Sequence, residues 1–216
     1  MSYARAVMRT LDLDSWPRRR HFEFFKGFEQ PFFNLCAEVD VTAVREAGRR
    51  SGGPSFFVAT LWASLVAANE VEELRYRIRG DRVVVHDRIH GGGTVLRPDE
   101  TFGFGYFDFE DDFELFEQQT EASLAATREG DDLDPAGERD DLIYYSVIPW
   151  ISFTSFAHAR SGFPSSVPRL VFGRYQQRQD RWWMPVSVEV HHALVDGIHV
   201  GRFYQRMQEV LDDFGS

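Results

Sequence analysis

Apolar and polar positions along the chain follow two rhythms. Short apolar runs bounded by turn residues alternate with stretches of helical period, and no segment repeats at a fixed interval. The pattern predicts an α/β fold, with residues 1–216 read as one domain. Ser55 to Ala68 is apolar almost all round, which predicts a helix buried on every side. Ala43 to Arg50 predicts a short helix with Asp40 as candidate cap, ended by Gly52, Gly53 and Pro54. Between Phe109 and Ala126, Phe109, Phe113, Phe116, Thr120 and Leu124 recur at helical spacing above an acidic face. Val200, Phe203, Tyr204, Met207, Val210, Leu211 and Phe214 give a final helix one apolar face.

Strand signals fall between these helices. Gly80 and Asp81 make a turn before Arg82–His86, and Gly91, Gly92 and Gly93 read as the next break. Leu142 to Ile148 reads as a strand stopped by Pro149, and Arg169–Gln177 with Trp182–His191 as a hairpin around Arg178, Gln179 and Asp180. Glu129–Asp141 is acidic and contains Pro135 and Gly137, which predicts an exposed loop.

Composition narrows the functional classes. At 216 residues, 43% hydrophobic and 27% charged, the chain has the profile of a globular protein able to bury its own core. Twenty phenylalanines imply either a Phe-rich core or an apolar slot kept open for a ligand. A net charge of -10, with Arg18, Arg19 and Arg20 as the one tight basic cluster, argues against a nucleic-acid partner. Lone Cys36 has no intramolecular partner and suits a reducing cytoplasm. The start, Met1 to Asp14, lacks an export pattern, and nowhere do 18 apolar residues run together, so a soluble protein without a membrane partner is expected.

The chemistry concentrates in Val186–Gly201, where a strand runs into His191-His192-Ala193-Leu194-Val195-Asp196-Gly197 and then into the final helix. If the two-residue alternation persists, His192 shares the inward face of Val186, Val188 and Val190, while His191 follows Ser187 and Glu189 outward. An imidazole held by rigid backbone at a cleft can take a proton near neutral pH. On the residues alone three readings stay open. His192 is a general base; or Asp196 caps the final helix and both histidines are structural; or His191, His192, Asp196 and His199 form a metal site. Adjacent strand histidines face opposite ways and no cysteine completes a ligand set, so no metal is assigned.

This segment resembles the active-site signature of the chloramphenicol acetyltransferase family, and other motifs follow in that family's order. They are Trp16-Pro17-Arg18-Arg19-Arg20-His21-Phe22-Glu23-Phe24-Phe25, then Asn69–Arg75 and Thr101-Phe102, then Ser146-Val147-Ile148-Pro149-Trp150 and Ser152–Phe156, then Gly173-Arg174-Tyr175. The histidine motif alone is shared with condensation domains and plant acyltransferases. The short length and the N-terminal motif favour the named family.

The resemblance implies a two-layer α/β sandwich with a mixed sheet covered by helices, and acetyl transfer from acetyl-CoA, without a metal, to a hydroxyl of chloramphenicol or a related acceptor, a route to antibiotic resistance. It implies His192 as base, Ser146 as donor to the tetrahedral oxyanion, and an Asp196–Arg18 salt bridge supporting the site. It places Trp150, Arg174 and Tyr175 at the coenzyme, and Phe24, Phe25, Glu29, Phe102, Phe156, His158 and Val171 around the acceptor. It also implies a homotrimer with shared interface sites. Three departures touch recognition: Ser55 stands where the family has a lysine near the coenzyme phosphate, Glu29 and His158 where apolar residues are usual, and Val171 where threonine is usual. A changed acceptor, or a family member that only binds a ligand or partner, is the alternative these departures raise.

Overall fold

In chain order the elements are β1 (Met8–Thr10), α1 (Arg19–Phe25), β2 (Phe32–Asp40), α2 (Thr42–Ala47), α3 (Phe56–Glu70), a 3-10 turn (Glu72–Arg75), β3 (Tyr76–Arg79), β4 (Arg82–His86), β5 (His90–Leu96), β6 (Phe102–Phe107), α4 (Phe113–Glu129), β7 (Leu142–Ile148), β8 (Arg169–Gly173), β9 (Gln176–Arg178), β10 (Arg181–His191) and α5 (Gly197–Asp212). The computed structural model describes residues 8–134, 139–159 and 165–214.

β10 is the spine of the molecule. Its residues Met184–His191 are buried without interruption, so cover is required on both faces of the sheet. The larger sheet runs β2-β10-β8-β7-β5-β6, with β9 pairing to the start of β10. Pairings β5–β7 and β7–β8 are parallel and the others antiparallel. A second sheet, β1-β4-β3, sits beside it.

One face of the large sheet presents Val186, Val188, Val190, Leu170, Phe172, Ile143 and Tyr145 to a helix layer, and together they form the main core. α3 is buried over most of its circumference, Val58, Ala59, Leu61, Ala63, Leu65 and Ala68 among its buried residues, as the all-round apolar pattern predicted, while Trp62 and Val66 stay half-buried. Buried Ser64 keeps its hydroxyl satisfied by Leu61 O at 2.8 Å and the Tyr145 hydroxyl at 2.9 Å. The opposite face is crossed by the chain that follows β7. Phe153 lies against Gly173, where a side chain would bring a Cβ within 2.8 Å of its ring. The architecture is the two-layer sandwich with a mixed sheet that the family resemblance implied.

Three expectations change. Gly91, Gly92 and Gly93 are not a break; they lie inside β5, paired to both β6 and β7. A Cβ at Gly93 would stand 3.0 Å from Tyr145 O, and one at Gly91 3.3 Å from the Phe107 ring, so the glycines admit close neighbours rather than end the strand. Asp40 does not occupy the cap of α2, which is Val41. Its Oδ1 accepts instead from Thr42 N at 2.9 Å, and its Oδ2 from Arg181 at 2.7 Å. The helix expected from Phe109 is α4, which begins at Phe113, capped by Asp112. Of the acidic loop, residues 129–134 are exposed, Pro135 and Gly137 lie outside the described residues, and Arg139 pairs with Asp141.

Candidate active site

β10 ends at His191, and His192 begins the turn that leads to α5. Its backbone N–H donates to Pro31 O at 2.7 Å, which ties the turn to the entry of β2. Its ring stacks on Phe25, with centroids 4.0 Å apart, and meets Phe33 edge-on. His192 therefore keeps to the side of Val190 and Phe33, as alternation predicted. Nδ1 lies 3.2 Å from Val195 O. A carbonyl only accepts, so this contact places the neutral ring's proton on Nδ1 and leaves Nε2 with a free lone pair. The expectation that His191 faces outward fails: it is 6% exposed, because the Ser187–Glu189 face is also covered.

Arg18 and Asp196 hold this turn from below. Arg18 Nη1 donates to Asp196 Oδ2 at 2.9 Å, and Nη2 to the His192 carbonyl at 3.2 Å. Asp196 is also the cap of α5, accepting from Gly197 N at 2.8 Å, while His199 Nδ1 accepts from Asp196 N at 3.0 Å. The supporting ion pair and the helix cap are thus one residue doing both jobs. The Arg18 hydrogen bond, reinforced by Gly197 N–H, holds the Asp196 carboxyl below the usual carboxylate range.

Ser146 lies elsewhere. It is half-buried on the face of β7 turned away from the helices, in register with Val171 of β8, which is in register with Ser187 of β10. Nearby Phe156 packs edge-on against His158, with centroids 4.9 Å apart. His158 Nδ1 lies 3.6 Å from Glu189 Oε1, and Arg169 Nη1 donates to the same oxygen at 3.2 Å. Val171 is fully buried. Glu189 and Arg169 were not singled out from sequence; Glu189 stands between Val188 and Val190 on β10 and faces Arg169, the first residue of β8, in register.

The residues expected at the coenzyme gather at one end of the sheet. Trp150 is 62% exposed, and Arg174 N donates to Ile151 O at 2.9 Å, so the two segments lie side by side. Tyr175 packs on Phe56 at the start of α3 and on Trp182. Ser55, immediately before α3, donates its N–H to Glu117 Oε1 at 3.0 Å, which places a carboxylate beside it. Of the remaining acceptor residues, Phe24 is exposed and clusters with Phe25 and Phe28 beside His192. Glu29 is exposed on the following loop, and Phe102 sits on edge strand β6 against Phe104.

The expected residues thus form two groups, and one chain does not join them. Ser146 is two strands from Ser187, and His192 is five residues beyond Ser187. At about 4.8 Å per strand and about 3.3 Å per residue, the two are on the order of 19 Å apart.

An α/β sandwich with a mixed sheet, carrying a turn-borne histidine whose outer nitrogen has no hydrogen-bond partner among the described residues, is the arrangement the acyltransferase resemblance implied. The family model for chloramphenicol acetyltransferase matches residues 6–208, and the chain belongs to that family. A chloramphenicol acetyltransferase of Streptomyces acrimycini is 35% identical over 208 residues, covering 94% of each chain. One of Escherichia coli is 30% identical over 210 residues, covering 95% of this chain and 94% of its own. A solved chloramphenicol acetyltransferase superposes with a TM-score of 0.87 at 30% identity, over 95% of this chain and all of that one.

Proposed function

We propose that the protein is an acetyl-CoA-dependent O-acetyltransferase acting on chloramphenicol or a related hydroxyl compound, working in the cytoplasm that lone Cys36 suits. One observation carries the catalytic reading: Val195 O fixes the His192 Nδ1 proton, so Nε2 is left as a base beside exposed aromatic rings. His192 Nε2 takes the proton of the acceptor hydroxyl as its oxygen attacks the thioester carbonyl. Ser146 Oγ donates to the tetrahedral oxyanion. Collapse breaks the carbon–sulfur bond, and the departing thiolate takes the proton from His192, which returns the base to its starting state.

Because Ser146 and His192 lie far apart in one chain, we assign the complete site to the junction of two copies in a homotrimer. The exposed Phe24 and Phe28 beside His192 support such a junction. Trp150, Arg174 and Tyr175 suit the coenzyme, with an aromatic face and a cation at one sheet end. The carboxylate of Glu117 near Ser55 weakens phosphate binding there. The test is thiol release from acetyl-CoA by purified protein, with and without chloramphenicol. Acceptor-dependent release supports the reading, and its absence with chloramphenicol and every hydroxyl compound tried contradicts it.

A further inference from the structure

One peptide group lies between two imidazoles. His192 Nδ1 is 3.2 Å from Val195 O, and the N–H of the same peptide, that of Asp196, donates to His199 Nδ1 at 3.0 Å. A trans peptide is planar, so its C=O and N–H point opposite ways, and fixing one fixes the other. A backbone N–H only donates, so His199 Nδ1 carries the lone pair and the ring's proton sits on Nε2. That nitrogen faces Glu73 Oε1, from the 3-10 turn, at 3.4 Å, with the histidine and glutamate side chains 8% and 21% exposed. His199 therefore holds the reverse tautomer of His192, and the Val195–Asp196 amide couples the two rings.

Helix capping alone does not explain a histidine at this place. His199 is the third residue of α5, the capping-box position at which Glu or Gln ordinarily accepts from the cap's backbone N–H. An imidazole accepts there only while neutral, because a protonated ring would set an N–H against the Asp196 N–H. Burial, with Arg18 and Arg202 nearby, lowers the His199 pKa against the opposing pull of Glu73 and Asp196, which keeps the ring neutral near pH 7. A titratable side chain thus grips the peptide whose carbonyl orients His192.

We propose that His199 is a positioning residue for acetyl transfer: oriented by Glu73, its neutral ring fixes the Val195–Asp196 peptide and so holds His192 with its proton on Nδ1 and its Nε2 unprotonated. The inference rests on the acyltransferase reading, in which His192 is the base, and deepens it by adding a residue that acts through another. Protonation of His199 releases the peptide, so acid disables the site twice, once at each histidine.

The experiment follows chloramphenicol acetylation by the full chain as wild type, His199→Leu and His199→Gln, and locates the His192 ring proton by nitrogen-15 NMR at about pH 8, where free imidazoles are neutral. His199→Leu is expected to lower kcat roughly 10- to 100-fold with KM changed less than about threefold, the cost of a slightly misplaced group, and to let the His192 proton leave Nδ1. His199→Gln, which keeps an acceptor at the capping position, recovers most of kcat and the Nδ1–H tautomer. Wild-type kcat/KM falls on the acid side with a slope that steepens from one proton to two, whereas His199→Gln stays at one. A folded His199→Leu protein with wild-type kcat, or a two-proton acid slope retained in His199→Gln, overturns the inference while the acyltransferase reading stands. The slope of His199→Gln decides alone where His199→Leu does not fold. No transfer by wild type overturns the acyltransferase reading; the His192 tautomer then tests the positioning by itself, and one left unchanged by His199→Leu overturns that too.

Discussion

Arg18 reaches Asp196 across 178 positions of sequence and, with its second nitrogen, the carbonyl of His192. One guanidinium therefore fixes both the helix that follows the proposed base and the backbone that carries it. Asp196→Asn can still cap α5 and should fold with nearly unchanged stability, whereas Asp196→Ala should lose about 1 kcal/mol by denaturant titration. Both lose the ion pair. Turnover should fall by up to about 10²-fold in each, the cost of a slightly misplaced catalytic group. Equal turnover in wild type and both variants would remove Asp196 from the supporting role.

Ser146→Ala should lower kcat by about 10²- to 10³-fold, the usual cost of one oxyanion donor, with little change in KM. The interface assignment adds a sharper expectation. Refolding a one-to-one mixture of Ser146→Ala and His192→Ala should restore about one quarter of wild-type activity, because a quarter of the junctions then pair an intact histidine with an intact serine. Recovery no greater than the sum of the separate variants would place both residues in one chain's site, or in none.

Gly173 is filled by its neighbours. A Cβ there would come within 2.6 Å of Pro185 Cγ and 2.8 Å of the Phe153 ring. Gly173→Ala should destabilise the protein by about 1–3 kcal/mol, the usual cost of overpacking. A stability unchanged within error would show that the segment crossing the sheet is not held by Phe153.

Acid should loosen the joint between the two sheets. Burial pushes the Asp140 carboxyl upward, but the two hydrogen bonds from Arg79, with the buried His86 ring 3.2 Å away, outweigh it and hold the group well below the usual range. A depressed carboxyl contributes stability that is present above its unfolded value of about 4 and is lost as pH falls below that. Asp140→Asn should therefore be less stable than wild type at neutral pH, and the gap should narrow between about pH 5 and 3. A gap independent of pH would assign the loss to packing instead.

Period made most of the helices legible. The buried α3 and the one-sided α5 were readable because their apolar spacing needs no partner to interpret, and β7 ended at Pro149 as proline requires. Gly91–Gly93 misled because glycine signals a turn locally, whereas here its value lies in what the neighbouring strands push against it. His192 and Asp196 could be found from spacing, and the dual use of Asp196 as cap and ion-pair partner was foreseen as two separate readings. What spacing could not give was distance across strands: that Ser146 and His192 lie on different faces, and that Glu189 meets Arg169, follow only from register.

His192 carries the central claim, and its most direct test is acetyl-CoA thiol release with saturating chloramphenicol, comparing wild type with His192→Ala and with folding verified for both. The account predicts chloramphenicol-dependent release by wild type and a loss of about 10²- to 10⁴-fold in kcat for the variant, the usual contribution of a general base. A His192→Ala protein that turns over within a few-fold of wild type would contradict it.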